Sequence, residues 1–144
     1  VLHHAVGASL DRTTESHFDW MFEQRQGALR TFATSVIGSL GSGASGSEIG
    51  LPGGVIETDA QSLSDHRTEY LEFEGEISGD RGRVHRVIAG TFECHKNSED
   101  EFIARLTWQD QGGWRQAEAA FHRRRSDDLL FNVNRDAWRL RLAP

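Results

Sequence analysis

The sequence predicts a mainly β fold, a small closed or nearly closed antiparallel β-barrel with one glycine-rich loop and little helix. Apolar and polar residues alternate along several short segments, clusters of turn-forming residues separate these segments, and helical periodicity is scarce. Several short strands of this kind are typical of a barrel or a sandwich. The chain has 144 residues, which fits a single domain over residues 1–144 with a substantial core.

The clearest strand is His17–Glu23, in which polar and aromatic residues alternate without a miss. Successive side chains of a strand point to opposite faces, so the aromatic residues would line a core while His17 and Asp19 share the other face. Ala28–Ser35 is the expected hairpin partner. Residues 38–54 are rich in glycine and serine, and this composition predicts a flexible loop.

The other predicted strands follow the same alternation, with turn residues between them. In two of them we expect departures from regularity: Gly90 suggests a bulge, and the alanines before His122 also permit a helix. These strands are Val1–His4, Tyr70–Ile77, Val84–Phe92, Glu101–Trp108, Trp114–His122, Leu129–Val133 and Trp138–Leu142.

Composition excludes some classes of protein. The formal net charge of −6 argues against a protein that grips nucleic acid by bulk electrostatics. No apolar run approaches the roughly 18 residues of a membrane helix, so no membrane partner is expected, and the protein is expected to be a monomer. The single cysteine, Cys94, excludes an internal disulfide and favours a reducing, cytoplasmic setting.

The candidate chemistry lies on the polar face of the first clear strand. An imidazole and a carboxylate two residues apart, His17 and Asp19, can converge on one divalent cation. His4 and His66 stand in contexts that would let them join. A mixed imidazole and carboxylate set suits manganese, with zinc or cobalt as alternatives.

Several short motifs occur in a characteristic order. Together they resemble the 3′-phosphoesterase domain of bacterial DNA ligase D and its stand-alone relatives, and the resemblance covers about residues 1–92. The motifs are His17-Phe18-Asp19-Trp20 with Glu23, Gly27-Ala28-Leu29-Arg30-Thr31-Phe32-Ala33, Asp65-His66-Arg67-Thr68-Glu69-Tyr70, Phe73-Glu74-Gly75 and Ala89-Gly90-Thr91-Phe92.

The resemblance implies a manganese-binding β-barrel that removes a terminal ribonucleoside or a 3′-phosphate from damaged primer strands in DNA repair. By position, it implies metal ligands at His17 and Asp19. It also implies that His66 and Tyr70 contact the phosphate from the other side, and that Thr31 stands where the family has a serine hydroxyl.

The third metal ligand has two candidates. The family keeps a histidine a few residues before its second one, and an ungapped alignment puts Asp11 there. Alignment on the strand Val1–His4 puts His4 there instead, with an inserted loop through residues 5–16. We prefer His4, because the family's histidine directly follows an apolar strand, and Asp11 remains the alternative.

Three positions depart from the family pattern. Met21 stands where the family has a phosphate-clamping arginine, Val36 falls where a lysine would be, and Thr58 sits near the place of a second arginine. Arg30 and Arg67 are candidate substitutes for binding the substrate phosphate.

Three functions therefore compete. The first is a metal-dependent phosphoesterase acting on nucleic acid 3′ ends, working with a repair ligase or polymerase in trans. The second is a catalytically impaired barrel that survives as a nucleic-acid-end binding or accessory module, and the departures at Met21, Val36 and Thr58 motivate it. The third is a small-molecule barrel in which His17 and Asp19 are incidental.

Overall fold

A computed structural model describes residues 1–6, 16–25, 27–35, 54–79, 81–110, 113–124 and 137–144. The described part is mainly β, with one short 3₁₀ turn at Thr68–Leu71. The strands are β1 (Leu2–Ala5), β2 (His17–Glu23), β3 (Ala28–Thr34), β4 (Ile56–Arg67), β5 (Gly75–Glu76), β6 (Arg83–Arg86), β7 (Gly90–Asn97), β8 (Glu101–Asp110), β9 (Gly113–Arg123) and β10 (Ala137–Ala143).

All ten strands belong to one antiparallel sheet in the order β5-β6-β1-β2-β3-β4-β10-β9-β8-β7. The sheet is not closed, because β5 and β7 remain as edges. It curls so that its two halves pack face to face. The ring of Phe22 on β2 lies 5.2 Å from Phe92 on β7 and 4.6 Å from Phe102 on β8. The predicted nearly closed antiparallel barrel is confirmed.

The core fills the inner face of the curled sheet. The alternation of the strands sends their aromatic residues inward, where Phe32 stacks on Phe121 with ring centroids 4.1 Å apart. Burial of these rings is the main favourable term in folding. The larger members of the core are Trp20, Phe22, Phe32, Phe102, Leu106, Trp108, Phe121, Trp138, Leu140 and Leu142.

Most of the predicted strands are confirmed with small shifts in their ends. The alternative of a helix before His122 is wrong, because β9 is a strand whose inward alanines fit against the crowded aromatic core. The prediction for Leu129–Val133 lies outside the described residues, and so does that for the glycine-rich loop apart from Gly54.

The prediction of one strand over Tyr70–Ile77 is wrong. The 3₁₀ turn occupies its start, and only Gly75–Glu76 pairs with a neighbour, β6. A strand over this segment would point Phe73 inward, but this residue is 40% exposed. Glu72 and Glu74 imitate a strand pattern because both are solvated, not because the backbone there is extended and paired.

The expected strand Val84–Phe92 is divided between two distant parts of the sheet. Its first half is β6, and its second half begins β7 at the opposite edge. Gly90 starts β7 instead of forming a bulge. A Cβ atom there would lie 2.2 Å from the carbonyl oxygen of Thr107, so this close approach to β8 requires glycine.

The long strand β4 went unrecognised in the sequence. It contains few large apolar residues, among them Ile56 and Leu63, and its register slips against β3 between Leu29 and Thr31. A strand with so weak an alternation gives little signal. It nevertheless occupies the centre of the sheet and joins the two halves.

The outer face of β1–β3 and β6 carries a second, smaller buried patch. Leu2, Leu29, Thr31 and Val84 are buried there although none belongs to the inner core. The connection from β4 to β5, residues 68–74, has to pass β3, β2, β1 and β6. Its contacts to outer-face residues of β4 and β6 place it on this side of the sheet. We call residues 68–74 the crossing segment.

Candidate metal centre

Three candidate ligands meet on the outer face of β1 and β2. His4 is paired directly with His17, and two residues along the same strands Leu2 is paired with Asp19. Paired residues and residues two positions away share a face. One ligand atom from each of His4, His17 and Asp19 lies within 4.8 Å of the others. We call these three residues the metal trio.

Asp19 has the electrostatic signature of a cation ligand. It is 5% exposed, and its Oδ1 atom is buried without a hydrogen-bond partner. Nε2 of His17 lies 3.4 Å from this oxygen. Burial raises the pKa of the Asp19 carboxyl, an effect that the neighbouring His17, His66 and His4 partly oppose. A buried carboxylate oxygen that lacks a donor and faces imidazoles suits a divalent cation.

The orientation of His4 is set by the backbone. Its Nε2 atom lies 2.8 Å from the carbonyl oxygen of Arg81. A carbonyl can only accept, so Nε2 carries the hydrogen, and in the neutral ring Nδ1 keeps a lone pair. Metal-binding histidines commonly donate their second ring nitrogen to a carbonyl or a carboxylate in this way. The Arg81 carbonyl therefore leaves Nδ1 as the nitrogen through which a neutral His4 can ligate.

His66 and Tyr70 flank the metal trio. His66 is paired with Leu29 on the outer face, and its ring meets that of Tyr70 edge-on with centroids 5.5 Å apart. The Nδ1 atom of His66 is buried without a hydrogen-bond partner. His66 also lowers the pKa of Asp19 through its charge. The two residues expected to act across the phosphate thus lie on the same face as the trio.

Thr31 shares this face but is sealed from solvent. It is paired with Met21, its side chain is fully buried, and its hydroxyl donates to the carbonyl oxygen of Leu29 at 3.0 Å. In this arrangement Thr31 supports the floor of the site and does not reach its surface.

The structure does not bring Arg30 to the metal trio. Arg30 is paired with Phe22 and so points inward. Its guanidinium lies over the rings of Phe32, Phe102 and Trp138, 5.2 to 5.5 Å from their centroids, and donates to the carbonyl oxygen of Ser98 at 2.9 Å. It covers one end of the barrel core by cation–π contact. The sequence held a sign of this, because Arg30 has the same parity along β3 as the buried Phe32.

The remaining sequence candidates are scattered. Arg67 is an exposed residue at the end of β4, before the 3₁₀ turn. Met21 is half-buried on the outer face, two residues after Asp19. Thr58 is paired with the core residue Leu140, away from the trio. Asp11 and Val36 lie outside the described residues.

Sequence reasoning missed two contributors from β6 and the turn before it. One is the Arg81 carbonyl, and the other is Arg86, which is paired with Leu2 next to Asp19. The pairing of β6 with β1 brings both residues to the site. Local sequence patterns do not predict a contact between segments so far apart in the chain. The alternation of Val84–Phe92 was the available signal, since it placed Arg86 on the same face as Val84.

Neither a scan against protein-family models nor a search of curated proteins found a match to this chain. Among the described residues, no helix combines the length and the apolar character needed to cross a membrane.

Proposed function

We propose that this chain is a divalent-metal-dependent phosphoesterase that hydrolyses 3′-phosphate or 3′-ribonucleotide ends of nucleic acid in DNA repair. The observation that supports it most is the convergence of His4, His17 and Asp19 within 4.8 Å, with Oδ1 of Asp19 buried and not hydrogen-bonded. The ordered motifs that resemble the 3′-phosphoesterase domain of DNA ligase D support the substrate class.

The donor set fits the proposed ion. Two imidazoles and one carboxylate leave coordination positions for water and substrate, as catalytic sites require. Manganese is the first choice, because the resemblance implies it, and zinc or cobalt would accept the same ligands. When bound, such an ion polarises a phosphoryl oxygen and activates water.

The chain's own residues divide the remaining work. His4, held by the Arg81 carbonyl, and His17 present ring nitrogens from adjacent strands, so the ligand geometry is fixed by strand pairing. Burial of Asp19 keeps water away from one side of the site. In this proposal His66, whose ring meets that of Tyr70 edge-on, donates a proton to the leaving oxygen or stabilises the charge that develops there.

The test is turnover of a defined substrate. The purified chain is incubated with a primer–template that bears a 3′-phosphate. One reaction contains manganese, a second contains EDTA instead, and free phosphate is measured in both. We expect manganese-dependent release that His17→Ala abolishes. His95→Ala is the matched control, because His95 is an exposed histidine on β7, remote from the trio in the sheet order. No release by the wild type, or full release by His17→Ala, would refute the proposal.

A binding or accessory module is the second candidate. The specific observations that favour it are Met21 in place of an arginine and the inward orientation of Arg30. Such a module would bind 3′ ends without turnover, in association with a repair ligase or polymerase. Its affinity for a 3′-phosphorylated end should then fall steeply with salt, whereas weak, salt-independent binding would argue against it.

A further inference from the structure

An arginine lies in the same row of the sheet as the metal trio. Arg86 on β6 is paired with Leu2, and Leu2 is paired on its other side with Asp19. Paired residues share a face. Among the described residues of β1 to β6, Arg86 is the arginine that strand register places on the outer face. At about 4.8 Å per strand spacing, Arg86 and Asp19 are roughly 10 Å apart along the row, a span that an arginine side chain and a bound phosphate can fill together.

The guanidinium of Arg86 is held toward the residues expected to face the phosphate. Its Nη2 atom donates to the carbonyl oxygen of Leu71 at 2.8 Å, and Leu71 directly follows Tyr70 in the crossing segment. This bond takes one of the five N–H donors of a guanidinium. The Glu74 carboxylate accepts from the backbone N–H of Arg86, not from its side chain. Arg86 is also an exposed residue.

We propose that Arg86 binds the substrate phosphate and replaces the cation that is absent at Met21. This inference rests on the proposed function, since it assigns a residue to the same site. A guanidinium can give two parallel hydrogen bonds to the non-bridging oxygens of a phosphate. The bond to Leu71 fixes the orientation of the fork before the ligand arrives. The anion would lie between Arg86 on one side and the metal trio on the other.

A purely structural role for Arg86 predicts a different effect on phosphate affinity. In that case the bond to Leu71 would only fasten the crossing segment onto the sheet. Its loss would loosen His66 and Tyr70 and lower stability, but phosphate affinity would not follow the charge at this position. The two roles therefore separate in a binding measurement.

The experiment titrates inorganic phosphate into the manganese-loaded full chain by calorimetry. Loss of a charge-assisted pair of hydrogen bonds is expected to weaken phosphate binding about 10- to 100-fold in Arg86→Gln. Manganese affinity should stay within about twofold, since the trio is intact. Arg83→Gln is the matched control, because Arg83 is exposed on the same strand and faces the other side of the sheet. Equal phosphate affinity in Arg86→Gln and Arg83→Gln would overturn the proposal.

Two further variants guard against an indirect effect. Arg86→Lys keeps the charge and a donor for Leu71 but loses the fork, so we expect it to fold and to bind phosphate several-fold more weakly. Adding Met21→Arg to Arg86→Gln should restore phosphate affinity, because Met21 lies two residues from Asp19 on the outer face. A loss of affinity in Arg86→Lys as large as in Arg86→Gln, or no restoration by Met21→Arg, would show that phosphate affinity does not follow the charge, and would overturn the proposal.

Binding and turnover separate this inference from the proposed function. Phosphate binding that depends on Arg86 without release from a 3′-phosphorylated primer would retain the inference and reject hydrolysis. Turnover that persists unchanged in Arg86→Gln would retain hydrolysis and reject the assignment of Arg86 to phosphate binding.

Discussion

The two faces of the seven-residue strand β2 differ in how well their buried groups are satisfied. On the inner face, Trp20 and Phe22 are buried among other rings, and the indole N–H of Trp20 donates to the Thr34 hydroxyl at 3.0 Å. On the outer face, Asp19 is almost as buried but leaves an oxygen unsatisfied. The buried rings of the inner face stabilise the folded state, whereas the unsatisfied Asp19 oxygen of the outer face destabilises it. The comparison teaches that the outer face carries a cost to folding at neutral pH, which a bound cation would offset.

The largest effect should come from breaking the inner face. Phe32→Ala removes a fully buried ring that stacks on Phe121 and contacts Trp138. We expect a loss of about 3–5 kcal/mol in the free energy of unfolding, measured by urea denaturation. Phe73→Ala is the control, since that ring is 40% exposed and should cost within about 0.5 kcal/mol as a surface substitution. Similar losses for both variants would contradict the assignment of the core.

The next largest effect should come from binding manganese on the outer face. Manganese at 100 times its dissociation constant should stabilise the folded chain by about 2.7 kcal/mol, because it binds the native state alone. The midpoint of thermal unfolding should therefore rise with manganese and return with EDTA. The same titration on His17→Ala should leave the midpoint unchanged, and a shift that survives this substitution would place the ion elsewhere.

A smaller effect tests the cost of the outer face without metal. Burial raises the pKa of Asp19, so the folded state holds this proton more tightly than the unfolded chain does. Stability from this group is thus present at low pH and is lost as pH rises from the ordinary aspartate pKa through the raised one. Asp19→Asn should therefore raise the unfolding midpoint of the metal-free protein at neutral pH and should abolish manganese binding.

The pH dependence supplies the control for that prediction. Below the ordinary pKa of aspartate, the wild-type carboxyl is protonated in both states, so the difference from Asp19→Asn should shrink. If metal-free Asp19→Asn is less stable than the metal-free wild type at neutral pH, the Asp19 carboxyl stabilises the fold. That result would contradict the comparison of the two faces.

The smallest effect concerns Arg30, the charged residue of the inner face. Arg30→Met keeps an apolar stem over Phe102 but removes the cation–π contacts and the donor to Ser98. We expect a loss of about 1 kcal/mol and unchanged phosphate affinity of the manganese-loaded chain. A marked loss of phosphate binding would instead bring Arg30 back as a substrate-binding residue.

Local spacing carried the part of the site that sequence could predict. His17 and Asp19 lie on one strand, so period-two alternation alone places them together. The preference for His4 came from the resemblance, because the family's histidine directly follows an apolar strand. The mainly β class followed from the same alternation.

The rest depends on pairings between distant segments. Only the register of β6 against β1 brings Arg86 and the Arg81 carbonyl to the trio. Alternating solvated glutamates predict a strand over Tyr70–Ile77, but the first part of this range belongs to the crossing segment. The strand β4 was missed because its packing partners, not its own residues, make it extended.

Direct titration of manganese into the metal-free chain, followed by electron paramagnetic resonance, tests the central claim. The arrangement of His4, His17 and Asp19 predicts one ion per chain, and its loss in each of His4→Ala, His17→Ala and Asp19→Asn. Substoichiometric binding by the wild type, or one ion retained by all three variants, would contradict a metal centre on the outer face.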